Sequence, residues 1–107
     1  MTYKHIRVDM NFCADPVWES EDGKSFVNGD IEDFVELISE SLFNELILYQ
    51  DLWENYHSNE WRYGTKILDI NFKAWEKSLA ESLSQELPGD YSVYYYDLSL
   101  QKNVMVD

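Results

Sequence analysis

The chain carries two histidines, His5 and His57, and a single cysteine, Cys13. The histidines stand far apart and without the spacing of metal ligands. No Cys-x-x-Cys, His-Glu-x-x-His or calcium-loop pattern occurs. Four glycines build neither a Walker loop nor a dinucleotide fingerprint. One cysteine excludes an intramolecular disulfide. Its setting, Met10-Asn11-Phe12-Cys13-Ala14, predicts a small buried residue, not a nucleophile. Carboxylates, by contrast, are plentiful, with 21 Asp and Glu in 107 residues. Residues 15–22 and 30–33 offer oxygen ligands, but neither stretch has a cation-binding spacing. No metal and no cofactor is therefore expected. Catalytic groups that meet in space leave no order in sequence. No catalytic residue is assigned, and the chain reads as a non-enzyme.

The carboxylates face only eight Lys and Arg, which leaves a net charge of −13 and a pI near 4.3. Direct nucleic-acid binding needs clustered Lys and Arg and is excluded as an expectation. An anionic membrane surface repels such a chain for the same reason. Disorder is also disfavoured, because acidic disordered chains lack aromatics and this one has four Trp, eight Tyr and five Phe. The charge is unevenly placed. Residues 25–61 contain no Lys or Arg, yet hold nine acids: Asp30, Glu32, Asp33, Glu36, Glu40, Glu45, Asp51, Glu54 and Glu60.

These groups must be positioned by local structure. Residues 4–12 alternate, with Ile6, Val8, Met10 and Phe12 on one side and His5, Arg7, Asp9 and Asn11 on the other, the period of a half-buried strand. Pro16 ends it. Val17-Trp18-Glu19 and Ser25-Phe26-Val27 flank an Asp-Gly turn and predict a hairpin. Asp30 is placed to cap the longest helix, with apolar residues at Ile31, Phe34, Val35, Ile38, Leu42, Leu46, Tyr49, Leu52, Trp53 and Tyr56. That helix is expected to run to Asn55 or Tyr56, with any break near Asn44. Residues 57–64 read as a loop, and 66–70 as a second, central strand. A second helix follows, capped by Asn71 or Asp69, with the stripe Phe72, Trp75, Leu79, Leu83 and Leu87. Pro88-Gly89-Asp90 stops it. Residues 91–100 are β-prone, and Gln101-Lys102-Asn103 turns them into an edge strand at 104–106. The expected fold is α+β, a single domain over residues 1–107 with a sheet of four to five strands packed against two helices. The segment 66–100 is expected to pair in parallel by a right-handed crossover. Trp53 and Trp75 are expected in the core.

On a helical wheel Glu32, Asp33, Glu36, Glu40, Asp51 and Glu54 fall opposite the apolar stripe, within about one hundred degrees of each other. A continuous helix would spread the row from Glu32 to Glu54 over roughly 33 Å. Like charges at i,i+4, as in Glu32–Glu36 and Glu36–Glu40, cost a few tenths of a kcal/mol each. A cationic partner offsets that cost. Leu37, Phe43, Ile47 and Leu48 lie between the apolar and acidic sides, as apolar anchors or as a wider core contact. Trp18, Tyr56 and Trp61 add aromatic candidates of the type enriched at binding hot spots. The partner-binding residues expected are Glu32, Asp33, Glu36, Glu40, Asp51, Glu54, Glu60, Trp18, Tyr56 and Trp61.

An acidic surface with aromatic anchors suits a basic protein, and nucleases are basic where they hold phosphate. In size, acidity, aromatic content and lack of a catalytic motif, the chain resembles the bacterial immunity proteins that neutralise a cognate toxin. These include barstar, nuclease-colicin immunity proteins and those of contact-dependent growth inhibition systems. The resemblance implies a tight one-to-one complex with a toxin domain inside the cytoplasm. Two other readings stand beside it. A nucleic-acid mimic blocking restriction or CRISPR effectors needs a dense charge row. Six carboxylates over roughly 33 Å fall far short of duplex DNA, with one charge per about 1.7 Å. An acidic adaptor subunit would bind mainly through apolar area. The first seven residues lead into no apolar stretch, so no signal peptide is read and a cytoplasmic chain is expected. The high net charge disfavours self-association.

Overall fold

The computed structural model describes residues 3–11, 13–63 and 71–106, the side chains of 57–63 excepted. The alternation at the start of the chain forms β1 (His5–Val8), with Ile6 and Val8 fully buried and His5 and Arg7 half-buried on the other face. The Asp-Gly turn joins β2 (Val17–Ser20) to β3 (Val27–Asn28) as an antiparallel hairpin. Gly23 takes a φ of 77° there, a conformation that costs an L-residue about 1–2 kcal/mol. A 3-10 turn (Ile31–Phe34), α1 (Glu40–Tyr63) and α2 (Phe72–Glu86) follow. β4 (Ser92–Asp97) and β5 (Lys102–Met105) close the chain as a second antiparallel hairpin. No described helix is long and apolar enough to cross a membrane.

The five strands form one mixed sheet in the order β3-β2-β1-β4-β5, the α+β architecture expected. β1 is central. It pairs antiparallel with β2 and parallel with β4, so that Ile6 faces Val93 and Val8 faces both Val17 and Tyr95. This register puts Ile6, Val8, Val17 and Val93 on one face. They join Leu42, Leu46 and Tyr49 of α1 and Leu79, Ala80 and Leu83 of α2 in a single core. The strand expected at 66–70 lies outside the described residues. Within them, the parallel partner of β4 is β1.

The first helix departs from expectation. Residues 30–56 are not one helix. Asp30 does cap, its side chain accepting from Glu32 N at 2.9 Å, but it caps the 3-10 turn. The chain then turns through 35–38, and α1 begins afresh at Glu40. Ser39 is the reason. Its Oγ accepts from Leu42 N at 3.1 Å, the N-cap bond that starts a new helix. Its own N–H and hydroxyl donate to the Glu86 carboxylate at 2.6 and 3.1 Å, fastening the start of α1 to the end of α2. Asn44 lies inside α1, and no break occurs there.

Other expectations resolve similarly. Asn71 caps α2, accepting from Ala74 N at 3.0 Å. Leu79, Leu83 and Leu87 are buried as the stripe requires, whereas Trp53 and Trp75 are only half-buried against the core. Leu37, Phe43 and Ile47 pack against the core as its wider margin, and Leu48 alone of that group is exposed. Cys13 is exposed, not buried. Its φ of 58° turns the chain after β1, and its N–H donates to Glu54 Oε1 at 2.7 Å. The second hairpin turns earlier than expected. Asp97 Oδ1 accepts from Ser99 N, Ser99 Oγ and Leu100 N at 2.9, 2.6 and 3.2 Å, forming an Asx turn that lets β5 start at Lys102.

Candidate functional site

Folding leaves most of the acids of the 25–61 stretch at the surface. Glu32 and Asp33 lie on the 3-10 turn and Glu36 just beyond it. Ile31, Phe34 and Ile38 point inward and force these acids outward. Glu40, Glu45 and Asp51 are exposed along α1, whose buried stripe is Leu42, Leu46 and Tyr49. Leu48, 51% exposed, sits on that outer side between Glu45 and Asp51. The row is therefore two segments joined by a turn, not one straight helix face.

Among the described residues, ion pairs join Lys4 to Asp90, Arg7 to Asp9 and Lys73 to Glu76. None draws on Glu32, Asp33, Glu36, Glu40 or Asp51. Like charges instead converge where the 3-10 turn meets the first hairpin. Burial raises the pKa of Glu19, and the charges of Asp33 and Asp30 add to the rise. Asp15 anchors this corner, its carboxylate accepting from Ile31 N at 2.9 Å while Asn28 bonds both its N–H and its carbonyl.

Several expected contact residues have structural partners. Glu54 is half-buried and holds Cys13 N. Glu45, which was not among them, accepts from Trp75 Nε1 at 3.1 Å. Trp18 is half-buried, its indole donating to the Asp9 carbonyl at 3.2 Å and lying 5.7 Å from the Arg7 guanidinium. Tyr56 packs on Phe72 with ring centroids 5.5 Å apart. Glu60 and Trp61 fall on the α1 backbone, but their side chains lie outside the described residues.

The structure also assembles a polar group that the periodicity concealed. Glu76, 2% exposed, sits in the buried stripe of α2 between Phe72 and Leu79. Tyr49 of α1 donates its hydroxyl to Glu76 Oε2 at 3.0 Å, and Lys73 Nζ lies 3.2 Å from Oε1. Burial raises the pKa of Glu76 and nearby Asp9 raises it further, against the opposing pull of Lys73 and Tyr49. Burial and the Glu76 charge push Tyr49 upward, so its hydroxyl stays protonated and donates. The sequence signal was an acid four residues after Phe72 and three before Leu79, inside the apolar register.

The arrangement provides a small α+β domain whose acidic flank takes no part in the ion pairs among the described residues. Among the described residues no three His, Cys, Asp or Glu stand together to hold a metal ion. The chain matches the Serratia CdiI immunity protein-like family over residues 4–98, and it belongs to that family. No curated protein matches it. It is thus an immunity protein of the contact-dependent growth inhibition type, and its partner is a cognate toxin.

Proposed function

We propose that this immunity protein neutralises a basic toxin domain, a nuclease, in the cytoplasm by laying carboxylates over the site that holds phosphate. One observation carries the reading: Glu32, Asp33, Glu36, Glu40 and Asp51 have no part in the ion pairs described, in a stretch of 37 residues without Lys or Arg. Such a flank repels itself and attracts a cationic surface, speeding association by about 10- to 1,000-fold. Glu54, Glu60, Trp18, Tyr56 and Trp61 extend the proposed contact, with Leu48 as an apolar anchor within it. The turn at 35–38 shortens the straight charge row that a nucleic-acid mimic would need.

The test is the triple reversal Asp33→Lys, Glu36→Lys and Glu40→Lys, assayed against the cognate toxin. All three side chains are exposed, so far-UV circular dichroism should be unchanged. Association should slow at least about tenfold at low salt, and protection of toxin-expressing cells should fall. Unchanged binding and protection would refute the acidic contact. Cleavage of neither DNA nor RNA by the free toxin would refute the nuclease target.

A further inference from the structure

A hollow of about 460 Å³ lies where β1 ends, α1 passes and α2 begins. It is within the range of about 300–1,000 Å³ typical of small-ligand pockets. Its walls are Met10, Tyr49, Trp53 and Phe72, and its polar lining is Asp9, Glu76, Lys73 and Asn71. Asn71 and Lys73 are exposed at its rim, while Glu76 is buried. Aromatic walls around carboxylates suit a cation on an apolar stem.

Among the described residues two cations face these carboxylates, and they differ in exposure and partners. Arg7 is fixed. Its Nη2 lies 3.4 Å from Asp9, its Nη1 donates to Asn103 at 3.1 Å, and its guanidinium lies 5.7 and 5.0 Å from the Trp18 and Phe26 rings. Lys73 is loose. Its side chain is 42% exposed, and its Nζ lies 3.2 and 3.4 Å from the two Glu76 oxygens and 5.6 Å from the Tyr96 ring. It also stands in the first turn of α2, where the helix dipole disfavours a cation. Swinging onto Tyr96 would free Oε1 and leave Oε2 held by the Tyr49 hydroxyl alone, with a second lone pair open to a planar fork. A guanidinium makes two parallel bonds there that an ammonium cannot.

We propose that this hollow receives one arginine side chain of the toxin, which displaces Lys73 from Glu76 and stacks against the aromatic walls. This rests on the partner being basic, as in the function proposed above. It adds a buried anchor beside the exposed acidic flank, at a place that flank does not use.

The test needs no toxin. n-Butylguanidinium, n-butylammonium and butyrate are titrated into the ¹⁵N-labelled protein and followed by heteronuclear NMR. The proposal expects saturable shifts at residues 9, 10, 49, 53 and 72–76 with butylguanidinium. It expects weaker shifts with butylammonium and none with butyrate. Glu76→Gln should lower the guanidinium affinity at least about tenfold. Lys73→Met, at an exposed site, should raise it several-fold by removing the competitor. No saturable shift, an equal response to butyrate, or weaker binding in Lys73→Met would each overturn the proposal. Absence of pocket binding in the unaltered protein, with toxin association still sensitive to the triple reversal, would sink the anchor and leave the acidic contact standing.

Discussion

Removing the Glu86 carboxylate should unfasten the two helices. Glu86→Ala deletes two hydrogen bonds to Ser39, at 2.6 Å from its N–H and 3.1 Å from its hydroxyl. Each is worth about 0.5–1.5 kcal/mol net, and both are exposed, so water recovers part of the loss. The carboxylate also faces the N-terminus of α1, favourable by about 0.3–1 kcal/mol, but it ends α2, where the dipole opposes it by a similar amount. The sum is a loss of about 1–2 kcal/mol. For a chain of this length that lowers Tm by about 5–10 °C. Ser39→Ala loses the cap to Leu42 as well and should cost about 1 kcal/mol or somewhat more. Because the two residues share a bond, the double variant should fall short of the sum by at least about 0.5 kcal/mol. Urea unfolding of the four proteins at one pH measures this cycle. A Glu86→Ala change within about 0.5 kcal/mol of zero, or strict additivity, would refute the clasp as the device that starts α1.

Glu76 makes stability depend on pH. Its folded pKa is raised by burial and by Asp9, so the folded protein holds its proton more tightly than the unfolded chain. Its favourable contribution is present below the unfolded value of about 4.5 and is lost as pH rises through the folded value. The ratio of stability at about pH 5 to that at about pH 8 should therefore shrink in Glu76→Gln, and an unchanged ratio would contradict the assignment. Gly23→Ala would place a Cβ 2.8 Å from the Tyr94 hydroxyl and 3.1 Å from His5 Nδ1 at a φ of 77°. It should cost at least about 1–2 kcal/mol in chemical denaturation, and a neutral result would mean the turn relaxes freely. Cys13, being exposed, should react with a thiol reagent in the folded protein about as fast as in urea, whereas strong protection would show it is covered.

The sheet and α2 were largely legible because each rests on one period. Ile6, Val8 and Met10 alternate and are all buried, and Leu79, Leu83 and Leu87 repeat at helical intervals into the same core. The same reasoning misled at residues 31–42. Ile31, Phe34, Ile38 and Leu42 keep intervals of three and four across the turn, and all four are buried, so periodicity cannot see where one helix stops and another starts. The signal was Ser39, three residues before Leu42, and it competes with an apolar pattern that runs straight past it. Cys13 misled because residue type suggested burial, while its position after β1 demanded a left-handed turn. The hollow around Glu76 was beyond reach for another reason. Asp9, Tyr49 and Glu76 come from three elements, and only the parallel pairing of β1 with β4 and the docking of both helices bring them together. The outward direction of Glu40 and Asp51, by contrast, followed from wheel position, whereas Glu54 on the same expected face is half-buried and holds Cys13 N.

The central strand sets a timetable for protection. β1 leaves the ribosome early, but its parallel neighbour comes late: His5 and Tyr94, which share a hydrogen bond across that pair, lie 89 positions apart. At about 5–20 residues per second, roughly 4–18 s separate their synthesis. Until then β1 has one open edge and Ile6 and Val8 lack Val93 against them, so a nascent chain holds an unfinished sheet that invites wrong partners. Each new copy completes its sheet only after that interval, so a toxin that arrives sooner meets the copies already finished.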